Sequence, residues 1–209
     1  MGDIDENARG LLTTPGATKI YRSNGKTANL CTEIRIASHA SIEWLPQETI
    51  LFDGADSDAL VRVDLDSDAI FMGGEITCLG RPASGEFLSH CNIRHRFELW
   101  RHNVPLVLER ARYVTNHPVL KANWGLQNYP VVGLFACSRS DPSLLDAVRA
   151  SVVADSNALF AVTELHGVLI CRYLGEDAEQ AKEILRHAWR VLRPLVLGEK
   201  SVEPRIWNT

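Results

Sequence analysis

A mainly β fold, with layered antiparallel sheets and two helices in the C-terminal third, is what this sequence predicts. Three observations point to it. Residues 28–37, ANLCTEIRIA, alternate strictly: Leu30, Thr32, Ile34 and Ile36 share one parity, Asn29, Cys31, Glu33 and Arg35 the other. That is the period of a half-buried strand. Further strand-like segments follow at 59–65, 70–78, 87–101, 105–114 and 130–137, most of them punctuated by Gly, Pro, Asn or Asp, the spacing expected of sheets packed in layers. Helical periodicity begins only after residue 141.

Each later element has its own local cause. Asp141-Pro142 offers an N-cap followed by proline at the first helical position, and Leu144, Leu145, Val148 and Val152 then recur at helical spacing. A hairpin is expected from 158–165 and 168–174, turning at His166-Gly167. Residues 176–192 place Ala181, Ile184, Leu185, Ala188, Trp189 and Leu192 on one stripe, with acids in the first turn and Arg186, His187, Arg190 and Arg193 later, and Pro194 as the stop. Within 41–55, SIEWLPQETILFDGA, Ile42 and Trp44 take one side of a strand and Glu43 and Leu45 the other; Pro46 makes a corner, and 49–52 starts a second strand.

The 209 residues, 45% of them hydrophobic, suffice for one sizeable core, so the chain is read as one domain, 1–209. The start, MGDIDENARG, lacks the basic flank and apolar core of a secretory signal, and no run approaches membrane-spanning length, so the expected location is the cytosol. Five scattered cysteines without a CxxC spacing argue for reduced, mostly buried thiols rather than a disulfide frame or a structural zinc site. A net charge of −4 provides no footprint for nucleic acid or anionic lipid. Proteins are the expected partners. The basic residues favour arginine over lysine, which suits interface ion pairs but also follows from genome composition.

Catalytic motifs are absent. Asn24-Gly25-Lys26-Thr27 carries GKT, but a phosphate loop needs a glycine where Ile20 stands and a helix where a strand pattern follows, so the segment is a turn. The seven histidines include no HExxH pair, and no GxSxG elbow occurs. Cys91 and His95 share strand parity and form a minor metal-binding candidate, against their ordinary reading as core or edge residues. Carboxylates carry more weight. Glu75, between Gly74 and Ile76, and Glu109, with Val107 and Ala111 as same-face neighbours, point into or beside the interior. A buried carboxylate needs a partner. Either arginines such as Arg81, Arg110 or Arg112 pair with them in a core network, or they line a hydrated passage that attracts a divalent cation.

Four runs, LLTTPGATKIYRS (11–23), the EWLPQE within 41–55, CLGRPASGE (78–86) and the terminal PRIWNT (204–209), resemble in order those of the urease accessory protein UreD (UreH) family, and the resemblance covers nearly the whole chain from about residue 8. It implies a mainly β fold with late helices and a non-enzymatic scaffold that binds UreF, UreG and apo-urease. It also implies help in inserting nickel, driven by GTP hydrolysis on UreG, with no tightly bound cofactor and nickel in transit. The family's acidic, water-filled tunnel maps onto Glu75, ahead of CLGRP, and Glu109, in the LER run, with Glu48 of LPQE as a third candidate. Family members normally begin further upstream, so the reading is of an N-terminally truncated domain whose strand at 11–14 lacks neighbours, and poor solubility of the isolated chain is expected. Two other functions stay open. One is a β-layered glycoside hydrolase using two of Glu48, Glu75, Glu86 and Glu109 as acid and base, which needs carboxyls roughly 5 to 9.5 Å apart; the other is a metal-free protein-interaction module.

Overall fold

The computed structural model describes residues 1–152 and 157–208. Thr209, the last residue of the PRIWNT run, lies outside them. Among the described residues fourteen strands and two α-helices follow in chain order: β1 (Gly2–Ile4), β2 (Arg9–Thr13), β3 (Thr18–Ile20), β4 (Ala28–Ile36), β5 (Ser41–Leu45), β6 (Thr49–Leu51), β7 (Ala55–Leu65), β8 (Ile70–Arg81), β9 (Glu86–Phe87), β10 (Cys91–Arg101), β11 (Val104–Val114), β12 (Val131–Cys137), α1 (Pro142–Ser151), β13 (Leu159–Leu165), β14 (Val168–Gly175) and α2 (Ala178–Leu197). The mainly β class with two late helices holds, and the layers are there. No helix is long and apolar enough to cross a membrane among the described residues.

The pairing sense differs from the antiparallel expectation, because both sheets are mixed. One has the order β1-β4-β7-β10-β11, the other β13-β14-β12-β8-β5-β2, with β6 also beside β8, β3 on β6, and β9 at the end of β8. Pairs β1/β4, β4/β7, β7/β10, β2/β5, β5/β8, β3/β6 and β6/β8 are parallel. The cause is the path of the chain. From β4 it passes to β5 and β6 in the second sheet, returns in β7, crosses again in β8 and returns in β10, so each strand lies beside one that entered its sheet a full circuit earlier. Short Gly, Pro and Asp connections that read locally as hairpins are corners between sheets. Antiparallel pairing occurs in the hairpins β10/β11 and β13/β14, at β8/β9, and where β12 inserts between β8 and β14.

Three apolar clusters fill the layers. One joins the second sheet to α1 and α2 around Phe135, Tyr173, Trp189 and Leu192. Two lie between the sheets: Ile42, Phe71, Phe97 and Leu99 in one, Ile20, Leu51, Ile93 and Tyr113 in the other. The central strands of the second sheet are covered on both faces, and β8 and β12 approach each other closely at Gly74, where a Cβ would overlap the Leu134 carbonyl oxygen of β12. Only glycine leaves the backbone that close.

Both helices are capped by an aspartate; the Asp141 cap was expected, whereas Asp177, expected inside the first turn, is the cap of α2. The Asp141 carboxylate accepts from the amides of Ser143 and Leu144 at 2.9 and 3.1 Å, and Asp177 accepts from the amide of Glu179 at 2.8 Å. Pro194 does not stop α2. It forfeits one backbone bond, yet the helix runs another turn because Val196 is buried and Gly198, at φ 71°, closes the end through its N–H to the Pro194 carbonyl. The GKT segment is a turn as expected, with the Ser23 hydroxyl accepting from the Gly25 amide at 3.0 Å and donating to the Lys26 carbonyl at 2.7 Å.

The expected strand 87–101 is broken before Cys91, and Asp53 is the reason. Its Oδ1 accepts from the amides of Ser89 and His90 at 2.9 and 2.7 Å and from the Ser89 hydroxyl at 2.9 Å, drawing residues 88–90 into a loop. The His90 amide is the chief cause that holds the Asp53 carboxyl at about 2; burial opposes it and Ser89 reinforces it. A carboxyl whose folded pKa lies below its ordinary 3.8 contributes stability that is complete above that value and lost as pH falls towards the folded one. Urea midpoints measured from pH 5 down to pH 2 should therefore drop more steeply in the wild type than in Asp53→Asn, the two curves converging at the acid end. Parallel curves would mean that Asp53 does not secure the loop.

Candidate functional site

Between the two inter-sheet clusters the packing gives out, for a reason written in the strand register. On β10 the inward series is Ile93, His95, Phe97, with Ile93 in one cluster and Phe97 in the other. His95 stands opposite Ala59 of β7 on one side and Ala111 of β11 on the other. Two methyl groups beside an imidazole leave the inter-sheet space unfilled. The facing strand β8 contributes Glu75 and Thr77 at the same level, and both line the void.

Two cavities result. The larger, about 720 Å³, lies between β10 and β11 on one sheet and β12, β13 and β14 on the other, and includes Glu75, His95, Glu109 and Arg172 in its wall. The smaller, about 260 Å³, lies on the side of β4, β5 and β7, walled in part by Thr32, Trp44 and Ser57. Glu75, Thr77 and His95 line both. These three side chains form a shared wall between them.

The polar contacts grade from mouth to interior. Glu109 on β11 pairs with Arg172 on β14, bridging the two sheets, and both are substantially exposed, 36% and 43% at the side chain. Deeper, Glu75 accepts a hydrogen bond of 2.6 Å from His95 Nε2, with side chains only 17% and 20% exposed. His95 Nδ1 lies 3.4 Å from the Thr77 hydroxyl. Burial works against the charged imidazole, but the attraction and hydrogen bond of Glu75 outweigh it and raise the His95 pKa above its ordinary 6.5. Tyr113 also lines the larger cavity, with its phenol pushed up to about 12 by burial and by Glu109, so it stays neutral.

The sequence-predicted candidates divide accordingly. Glu75 and Glu109 come from opposite sheets into one cavity, while Glu48 forms an ion pair with Lys182 of α2 at 2.8 Å and lines neither cavity. The expected arginine partners were others: Arg172 takes Glu109, Arg110 pairs with Glu98 at 3.2 Å, and Arg81 pairs with Glu86. Cys91 does not meet His95. It lies four residues along the strand, about 13 Å away at ~3.3 Å per residue, in the apolar cluster, its thiol pushed up to about 11 by burial. Arg172 and Thr77 escaped sequence reasoning, and the only signal for Arg172 was an arginine within an apolar strand. Among the described residues no three His, Cys, Asp or Glu side chains gather as a metal cage.

The paired acids of the SIEWLPQE run have structural partners. Buried Glu43 accepts from Trp189 Nε1 at 2.5 Å and from Arg193 Nε at 2.9 and 3.1 Å, clamping α2 to β5. Trp207 meets Trp189 edge to face at 5.7 Å, lies under the Arg186 guanidinium at 4.2 Å, and donates to the Thr13 hydroxyl at 2.8 Å. Three of the four resemblance runs thus converge on one face of α2.

The chain matches the UreD urease accessory protein family over residues 2–208. It is 39% identical to the urease accessory protein UreD of Alcanivorax borkumensis over 203 residues, 97% of this chain and 69% of that protein. It is similarly 39% identical to UreD 2 of Brucella anthropi, over 99% of this chain and 76% of that protein, and 40% identical to UreD 1 of Psychrobacter cryohalolentis, over 99% and 69%. With a family match over almost its full length and relatives at this identity, the chain belongs to the urease accessory protein UreD family.

Proposed function

We propose that this protein serves urease maturation as a non-enzymatic scaffold in the cytosol, joining UreF and UreG on apo-urease and conducting nickel towards the urease active site. The observation that supports the conducting role is the shared wall: Glu75, Thr77 and His95 border both the larger cavity, which opens to solvent at Glu109 and Arg172, and the smaller one behind it. A divalent ion entering past Glu109 would meet a carboxylate and an imidazole, donors that suit nickel. Two protein donors leave most of the ion's water shell in place, which favours passage over capture. Nickel is cargo here. A glycosidase would need its acid and base free for substrate, whereas Glu109 is engaged by Arg172 and Glu75 by His95.

Urease co-expressed with the accessory set tests this. Glu75→Ala and Glu109→Ala should each lower the nickel content and activity of the purified urease several-fold, while the variant protein still co-purifies with its partners. Full nickel loading in both variants removes the conducting role and leaves an adaptor; loss of co-purification instead assigns the residues to assembly.

A further inference from the structure

The five-stranded sheet turns one face to the inter-sheet core and leaves its other face exposed along β10 and β11. On that outer face Arg94 stands directly opposite Arg112, and Arg96 directly opposite Arg110. Four guanidinium side chains therefore occupy adjoining positions on two antiparallel strands. Like charges set directly opposite each other destabilise a sheet, so folding alone offers no reason for the arrangement.

Nearby acids do not neutralise it. Asp58 on β7 accepts from Arg94 at 3.0 Å and Arg96 at 2.7 Å, and Glu98 accepts from Arg110 at 3.2 Å. Arg112 has no ion pair among the described residues, and the Arg96 Nε is buried without an acceptor. Four cations thus have two carboxylates between them, and a third acid on this face, Asp56, is bonded to Asn92 at 3.3 Å, in a chain whose net charge is −4. Beside the block, Leu108 is 41% exposed, and the Arg62 guanidinium lies over the Trp100 ring at 4.8 Å. Arginine and aromatic side chains grouped in this way are the common anchors of protein interfaces.

We propose that this arginine block docks an acidic, extended segment of a partner protein, with Asp or Glu at alternate positions. Arg94 and Arg96, like Arg110 and Arg112, stand two residues apart, about 6.6 Å along a strand. Carboxylates at every second residue of an extended chain repeat at that same distance, and each guanidinium can bind one through two parallel hydrogen bonds. Nucleic acid fits less well. Tight binding there draws on about 6–10 phosphate contacts, and this block presents four guanidinium groups, two already shared with Asp58. The proposal is independent of nickel conduction. Arg110 also borders the larger cavity, so a docked segment would lie beside its mouth.

Fluorescence anisotropy with the full chain and a short labelled peptide of alternating Glu and Thr tests it at low ionic strength. The wild type should bind the peptide, more weakly as salt is added, and should ignore the same peptide with Gln in place of Glu. Arg112→Glu should weaken binding about tenfold or more, the value of one charged hydrogen-bonded contact, with Arg112→Lys in between, while the thermal midpoint of Arg112→Glu is no lower than that of the wild type because it removes a like-charge pair. Three results would overturn the proposal: no binding by the wild type, equal binding by Arg112→Glu, or a short DNA duplex held more tightly than the Glu peptide.

Discussion

Glu43→Ala is expected to destabilise the fold by about 3–5 kcal/mol, the cost of removing one partner from a buried ion pair. Glu43 is 4% exposed and Trp189 0%, so neither the Arg193 guanidinium nor the indole N–H gains enough water to replace the lost carboxylate. The Arg193 guanidinium also donates to the Lys200 carbonyl, and Trp189 packs on Trp207, so the loss reaches the C-terminal segment. Glu43→Gln should fall between, since an amide oxygen still accepts but carries no charge. Urea unfolding gives the comparison. A change below about 1 kcal/mol, the range of an exposed ion pair, would show that α2 is held to β5 by apolar contact alone.

Ala111→Phe should abolish most nickel delivery without removing any acidic group. Ala111 stands opposite His95 and lines the larger cavity, so a phenyl ring there fills the void beside the shared wall. The cavity of about 720 Å³ receives the ring without crowding, and a change in stability within about 1.5 kcal/mol is expected, as for tolerated core substitutions. Nickel in co-expressed urease should fall several-fold, as with the glutamate variants. Ala59→Leu repeats the test from the smaller cavity, on the other side of His95. Normal nickel loading with folded protein in both plugged variants would mean that the ion takes another route.

Together the two experiments separate what the acidic residues do. Glu43 and Glu48 belong to the seam between the second sheet and α2, where they meet Arg193 and Lys182. Glu75 and Glu109 belong to the space between the sheets. The SIEWLPQE run is therefore informative about the family, but its acids mark a clamp for α2 rather than the passage; its Trp44 lies on the other side of β5, in the wall of the smaller cavity. Its proline corner, read correctly from sequence, is what sends the chain from β5 into β6.

What the chain determines by itself is local. Alternation placed Leu30, Ile34 and Ile36 on the packed face of β4, where they lie; helical spacing found the buried stripe of α2; Asp141-Pro142 located the start of α1; and parity turned Glu75 and Glu109 inward. Periods of two and 3.6 residues are properties of neighbours in sequence, so a sequence displays them. The tertiary structure alone decided which strands pair, because a corner and a hairpin use the same Gly, Pro and Asp residues while their outcome depends on where the next strand finds an open edge. It also decided the partners of the buried charges. Arg172 reaches Glu109 from 63 residues away and His95 reaches Glu75 from 20, and the void they border exists because Ala59 and Ala111, small residues from separate strands, fall on either side of one histidine.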